Sequence, residues 1–173
     1  MFARKASRRI LVVVIGTLIA GLAVESTVLA ATLVRGGGAV TAVQTVTAND
    51  QVYVNSDSPQ TMPGMSLNVT VPPGEQALLV VTFSAATLCY GTPGSYCYLR
   101  ARVDGQAISP GEVIFATTPD TANAISWEAN SMQFVAGPVA AGQHTIDIRW
   151  RVEMSGVSFA VYGRTLTVLS SKV

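Results

Sequence analysis

Cys89 and Cys97 are the two cysteines of this 173-residue chain, and they bracket the stretch YGTPGSY. Three kinds of chemistry use paired cysteines. A zinc centre needs about four Cys, His or carboxylate ligands at close spacing, and the single histidine, His144, lies far along the chain. A dithiol exchange site uses Cys-x-x-Cys at the start of a helix, and here both the spacing and the strand-like context differ. A structural disulfide needs only an even cysteine count and an oxidising compartment. The residues therefore point to a disulfide closing a short hairpin loop and holding YGTPGSY in one shape. That differs from the immunoglobulin bridge, which joins two sheets across a far longer stretch.

His144 follows Gly142-Gln143 at a strand entry. Asp147, three residues on, falls on the opposite face of a strand, and there is no Gly-x-Ser-x-Gly elbow to supply a nucleophile. The histidine reads as a half-buried rim residue hydrogen-bonded to a loop. Glycoside hydrolysis needs two carboxyl groups facing across a cleft, but the acids here (Asp50, Asp57, Glu75, Asp104, Glu112, Asp120) fall mostly in turns. NSDS (55–58) is the nearest approach to the dense Asp/Asn/Gly run that calcium uses. Gly36 to Gly38 lacks the strand-to-helix context of a phosphate loop. The expectation is a protein that is not an enzyme, with no catalytic residues, no metal and no cofactor. A small hydrolase is the least favoured reading, because a nucleophile–base set is missing.

Recognition chemistry has better candidates. Alternation over 96 to 104 puts Tyr96, Tyr98, Arg100 and Arg102 on one side of a strand, opposite Cys97, Leu99, Ala101 and Val103. Over 143 to 153 it puts Asp147, Arg149, Arg151 and Glu153 opposite His144, Ile146, Ile148, Trp150 and Val152. Tyrosine and arginine suit recognition of sugars, carboxylates or a partner chain. The competing reading of the same row is a cross-strand charge ladder on a wet sheet. Tyr90, inside the clasped loop, and Trp127, in a weakly patterned stretch, complete the candidate set; Trp150 reads as core.

The elements that position these residues are strands. Runs rich in Val, Ile, Thr, Phe and Tyr occur at 39–47, 66–71, 76–86, 96–103, 112–118, 131–137, 144–153, 157–163 and 164–170. Pro63-Gly64, Pro73-Gly74, Pro93-Gly94 and Pro110-Gly111 separate them with turn signals, and Asp104-Gly105 marks another tight turn. The stretch ALLVVTF (77–83) is apolar on both sides, which suits a central strand. Residues 48–65 read as loop or edge, and 119–130 as a longer loop. Some eight or nine strands without helical crossovers predict an all-β antiparallel sandwich, best matched by a jelly roll.

The first thirty residues differ from the rest. Arg4, Lys5, Arg8 and Arg9 precede a charge-free apolar run from Ile10 to Val24, and Val28-Leu29-Ala30 offers a cleavage site. That is the pattern of a secretory signal peptide. The alternative is an uncleaved helical anchor with the domain outside, at a cost for carrying Glu25 into or near lipid. The predicted organisation is a signal peptide helix at 1–30, a flexible lead at 31–38 and a β-sandwich at 39–173. Removing 1–30 takes four of eleven basic residues and one of ten acidic ones, leaving seven and nine and a net charge of −2. No basic stripe remains to hold nucleic acid.

The strand ending in Val103-Asp104-Gly105, the AGQHT entry at 141–145 and the closing Arg164 strand resemble small exported bacterial jelly-roll domains. They resemble more loosely the heads of the C1q and tumour-necrosis-factor class. The likeness spans roughly 66–170 and implies a fold; its motifs carry no catalytic residues. The functional expectation is a secreted, cell-surface or cell-wall module that binds a glycan, a cell-envelope component or a protein partner. The alternative is a structural subunit that self-assembles as a homo-oligomer through an apolar sheet face. Membrane contact is expected only through the N-terminal segment.

Overall fold

Side-chain burial follows a two-residue period along strand after strand, and that period defines two sheets with one core between them. The computed structural model describes residues 39–121 and 126–173. The expected signal peptide (1–30) and flexible lead (31–38) lie outside the described residues. Ten strands are present: β1 Val40–Ala48, β2 Val52–Val54, β3 Gln60–Val71, β4 Ala77–Gly91, β5 Tyr96–Val103, β6 Gln106–Ala107, β7 Val113–Thr117, β8 Glu128–Val139, β9 Gly142–Val152 and β10 Val157–Lys172. No helix occurs among the described residues. The first sheet runs β1-β10-β4-β8, with β2 also on β10; the second runs β3-β9-β5-β6, with β7 also on β5. Every pairing is antiparallel.

The core is the set of inward residues of both sheets. In β9 these are Ile146, Ile148, Trp150 and Val152, and in β5 Cys97, Leu99, Ala101 and Val103, all buried as alternation requires. Aromatic rings link the layers. Phe83 lies 5.5 Å from Phe115, Phe115 6.5 Å from Phe159, and Phe159 5.5 Å from Trp150, all in tilted contact. The β4 strand is central to its sheet, as the run 77–83 predicts, with Ala77, Leu79, Val81 and Phe83 inward. Its outward residues Leu78, Val80 and Thr82 are half-buried beneath no second layer of the described residues.

Several expectations change. The count is ten strands because β2 and β6 are three and two residues long, too short to leave a periodic signal. The stretch 48–65 contains β2 and the start of β3, and the end of the 119–130 loop belongs to β8. Pro63-Gly64 is not a turn. It lies in the register shift between Thr61 and Ser66 of β3, an edge strand, where a missing N–H is tolerated. The runs 157–163 and 164–170 form one strand whose register shifts between Tyr162 and Thr165. Before the shift Val157, Phe159 and Val161 face inward; after it Arg164, Leu166 and Val168 do. A one-residue slip reverses the faces, and Gly163 adopts the left-handed φ of 55° that allows it.

The shift also buries a charge. Arg164 is 2% exposed. It donates from Nε to the Pro63 carbonyl at 3.1 Å, from Nη1 to the Asp50 carbonyl at 2.5 Å, and from Nη2 to Asp50 Oδ1 at 3.0 Å. Each of its three nitrogens thereby has an acceptor, as a buried cation requires. One side chain ties the β1–β2 connection and the β3 irregularity to β10.

Candidate functional site

The cysteine stretch is a cross-sheet arch. Cys89 and Cys97 form a disulfide with Cα atoms 6.0 Å apart. They are 2% and 0% exposed and belong to the core cluster. β4 and β5 lie in different sheets, so the bond joins the two layers and does not close a hairpin. The reason is local: a chain that leaves one sheet and enters the facing one brings two inward positions together across the core. Thr118 steadies the arch, donating from Oγ1 to the Thr92 carbonyl at 2.8 Å and accepting the Ser95 N–H at 2.7 Å. With Cys89 and Cys97 both inward, Tyr90 and Tyr96 point to opposite outer faces of the sandwich. They do not form one contact surface.

The outer face of the second sheet does gather Tyr96, Tyr98, Arg100, Arg102, Arg149 and Arg151. β5 pairs with β9 so that Arg102 stands opposite Asp147, Arg100 opposite Arg149 and Tyr98 opposite Arg151. Arg102 grips Asp147 through two bonds, Nε to Oδ1 at 2.8 Å and Nη2 to Oδ2 at 2.5 Å. That hydrogen-bonded carboxylate raises the Arg102 pKa against the opposing cost of burial. Arg151 donates to Glu112 from Nε and Nη2, at 3.0 and 2.5 Å to Oε1, and lies 4.1 Å from the Tyr98 ring centroid. Its pKa is raised, first by the hydrogen bonds to Glu112. Tyr96 packs edge-on against Tyr98, and its N–H is accepted by Glu153 at 3.1 Å. Much of this face is therefore a set of closed pairs, as a charge ladder would be.

His144 sits at the rim. Its Nδ1 is 2.7 Å from Asp104 Oδ2 and its Nε2 is 2.8 Å from the Ala140 carbonyl. Both partners only accept, so full satisfaction requires the doubly protonated ring. The hydrogen bond with Asp104 raises the His144 pKa, and the same bond, with the Thr145 N–H, lowers that of Asp104.

The first sheet carries a different surface. Pairing places Ala86 of β4 beside Tyr162 of β10 and Ala129 of β8. A hollow of about 360 Å³ opens there, lined by Gln51, Ala86, Trp127 and Tyr162. Ala86 lies on the central strand, with Tyr162 on the neighbouring β10 and Trp127 just before β8 on the other side. Trp127 is 43% exposed and Tyr162 50%. Gln51 reaches the rim from the β1–β2 connection, where its amide donates to the Tyr53 hydroxyl. Arg164 holds the adjacent Asp50, and so places Gln51. Gln51 and the two aromatic rings bring hydrogen-bonding and stacking groups to one concave spot, with no formal charge among the described lining residues.

No protein-family model matches the chain. No curated protein sequence matches it. Among solved structures it is similar to part of dimeric latent PorU from Porphyromonas gingivalis, with 9% identity and a TM-score of 0.38 over 79% of this chain and 14% of that one. It is also similar to the structure of the infectious bursal disease virus Gx strain, at 13% identity and a TM-score of 0.37 over 78% and 37% of the two chains. A third likeness is to the D431N mutant VP2 protein of infectious bursal disease virus in T=1 particles, at 12% identity and 0.29 over 76% and 40%. The chain thus spans well under half the length of each of these molecules.

Of the hollow, sequence reasoning had singled out Trp127 alone. Tyr162 carried a usable signal, since alternation from Phe159 and Val161 places it outward. Ala86 carried none, because a small residue matters here only through what stands beside it. Gln51 and Tyr53 were concealed by the loop-like reading of 48–65.

Proposed function

We propose that the chain is a non-catalytic recognition module of jelly-roll topology that works outside the cell. In this reading it holds a neutral sugar ring, from a glycan or cell-envelope component, in the hollow of the first sheet. The observation that carries the reading is the hollow itself: two exposed aromatic residues, one alanine and one amide, with no charged residue among the described residues that line it. Sugars present apolar C–H faces and hydroxyl edges, and such a lining offers a partner for each. Its volume of about 360 Å³ falls within the usual range for small-ligand pockets.

The jelly-roll reading is supported by nested strand pairs. β1 with β10, β3 with β9, β4 with β8 and β5 with β7 pair outermost to innermost, as when one long hairpin is rolled into two sheets. Export is supported by the signal-like N-terminus and by the disulfide, which persists in oxidising compartments. The test is a glycan array probed with the wild-type chain, Trp127→Ala and Ala86→Leu. Trp127→Ala should weaken binding by about 2 kcal/mol, roughly thirtyfold. Ala86→Leu should abolish it by filling the hollow, with thermal stability little changed for both. A blank array, or binding indifferent to both substitutions, overturns the reading.

A second reading, self-assembly through the same sheet, is favoured by a separate observation. Val43, Leu169, Val80 and Val135 align across β1, β10, β4 and β8 as an outward apolar row.

A further inference from the structure

On the second sheet, away from the hollow, one pair of charges has no counterpart. Arg100 and Arg149 stand directly opposite each other on neighbouring antiparallel strands, where like charges repel. Neither makes an ion pair with a described residue. The carboxylates that flank them in register are engaged by the other two arginines, and Asp57, near enough to act on Arg151, pairs with neither Arg100 nor Arg149. Asp147 accepts from Arg102 with both oxygens, Glu112 accepts from Arg151 with both, and Glu153 accepts the Tyr96 N–H. The Nε–H groups of Arg100 and Arg149 are shut off from solvent and have no hydrogen-bond partner among the described residues. Among the described residues the one side-chain polar contact of the pair is Arg149 Nη1 donating to the Thr61 hydroxyl. The two arginines thus stand opposite each other in register, Arg149 reaching toward Thr61 of β3, each with donors to spare, between two ion pairs that cancel their own charge.

The geometry points to an oxyanion site at Arg100 and Arg149, in which one carboxylate, sulfate or phosphate group bridges the two forks with Thr61 at its edge. The chemistry follows from the donors. A guanidinium presents N–H groups in a planar fork that matches the spacing of oxygens on such groups. One anion between two cations removes the repulsion and accepts from their outer Nη–H groups, which solvent reaches as it does not reach the enclosed Nε–H groups. The flanking pairs, Arg102–Asp147 and Arg151–Glu112, hold the forks in place on either side and confine the excess charge to the centre. Tyr98, whose ring lies under Arg151, walls one side.

The test is an NMR titration of the arginine Nε–H resonances with acetate, sulfate and inorganic phosphate, each against chloride at equal ionic strength. Saturable shifts at Arg100 and Arg149 are expected, and the anion that saturates first identifies which class the site takes. Binding should weaken about tenfold or more in Arg100→Gln and in Arg149→Gln. Arg149→Lys, which keeps the charge and loses the fork, should also bind less well. Lys172→Gln, on the other sheet, should bind as the wild type does. Both Gln variants should melt no lower than the parent, since each relieves a repulsion, so that lost binding is not lost folding. Shifts that stay linear with all three anions up to roughly 50 mM, or equal affinity in Arg149→Gln, overturn the proposal.

Discussion

At the scale of single residues, the His144–Asp104 contact makes a pH prediction whose sign is set by two opposite shifts. His144 has its pKa raised by Asp104. Its contribution to stability is complete below the unfolded value of about 6.5 and is lost as pH rises through the higher folded value. Asp104 has its pKa lowered by His144 and by the Thr145 N–H. Its contribution is complete above about 3.9 and is lost as pH falls through the lower folded value. Stability from this pair is therefore greatest between those limits. Denaturant melts from about pH 5.5 to pH 9 should show a decline in the wild type that flattens in His144→Gln. A parallel decline in both would show that other groups govern it. The contact was partly legible: a rim histidine bonded to a loop was expected, but its carboxylate, forty residues back at the Asp104-Gly105 turn, was not.

At the scale of elements, the arch between β4 and β5 shows what a short disulfide does when its ends lie in different sheets. Its sequence separation is eight, and a loop so short gains only about 2–3 kcal/mol from closure in the chain-entropy model. The bridge pins the end of β4 over the start of β5, where no backbone ladder joins the two. Gly91 and Gly156 meet at the next step, and a Cβ on Gly91 would stand 2.1 Å from the Gly156 carbonyl oxygen. The arch thus leaves no room for a side chain where β4 ends against β10. Replacing Cys89 and Cys97 by alanine should lower unfolding free energy by about 2–3 kcal/mol without changing the fold. Intact mass of the native protein should fall two hydrogens short of the reduced chain. A full mass before reduction, or no loss of stability, would contradict a bonded pair. The strand ends were readable from Cys89 and Cys97, but sheet membership was not, because a turn of this length serves a hairpin and an arch equally well.

At the scale of the whole molecule, the two outer faces differ in kind. The second sheet displays Arg100, Arg102, Asp147, Arg149 and Arg151. The first displays hydroxyls and aliphatic groups: below the hollow, Thr47, Thr165, Ser84 and Ser131 form one row and Thr45, Thr167, Thr82 and Gln133 the next. Beyond them lies the apolar row of Val43, Leu169, Val80 and Val135. These rows of described residues carry no charge to repel a second copy. If the chain self-associates through them, sedimentation velocity should show mass rising with concentration, and Val80→Lys should return the protein to monomer. A single monomeric boundary at high concentration would leave the hollow as the sole role proposed for this sheet.

What the sequence determined by itself was local: the two-residue period, the turns at Asp104-Gly105 and Pro73-Gly74, and the inward and outward sides of β5 and β9. These follow from pleating and from backbone angles, which act over a few residues. The runs on either side of Gly163 read as two strands, and only the structure shows one strand with its phase reversed. Tertiary structure alone decided which strand lies beside which. It set Arg100 against Arg149, placed Ala86 between Trp127 and Tyr162, and buried Arg164 under Asp50 and Pro63. Each of these depends on a pairing register between segments far apart in the chain, and a residue type carries no record of its neighbour across a sheet.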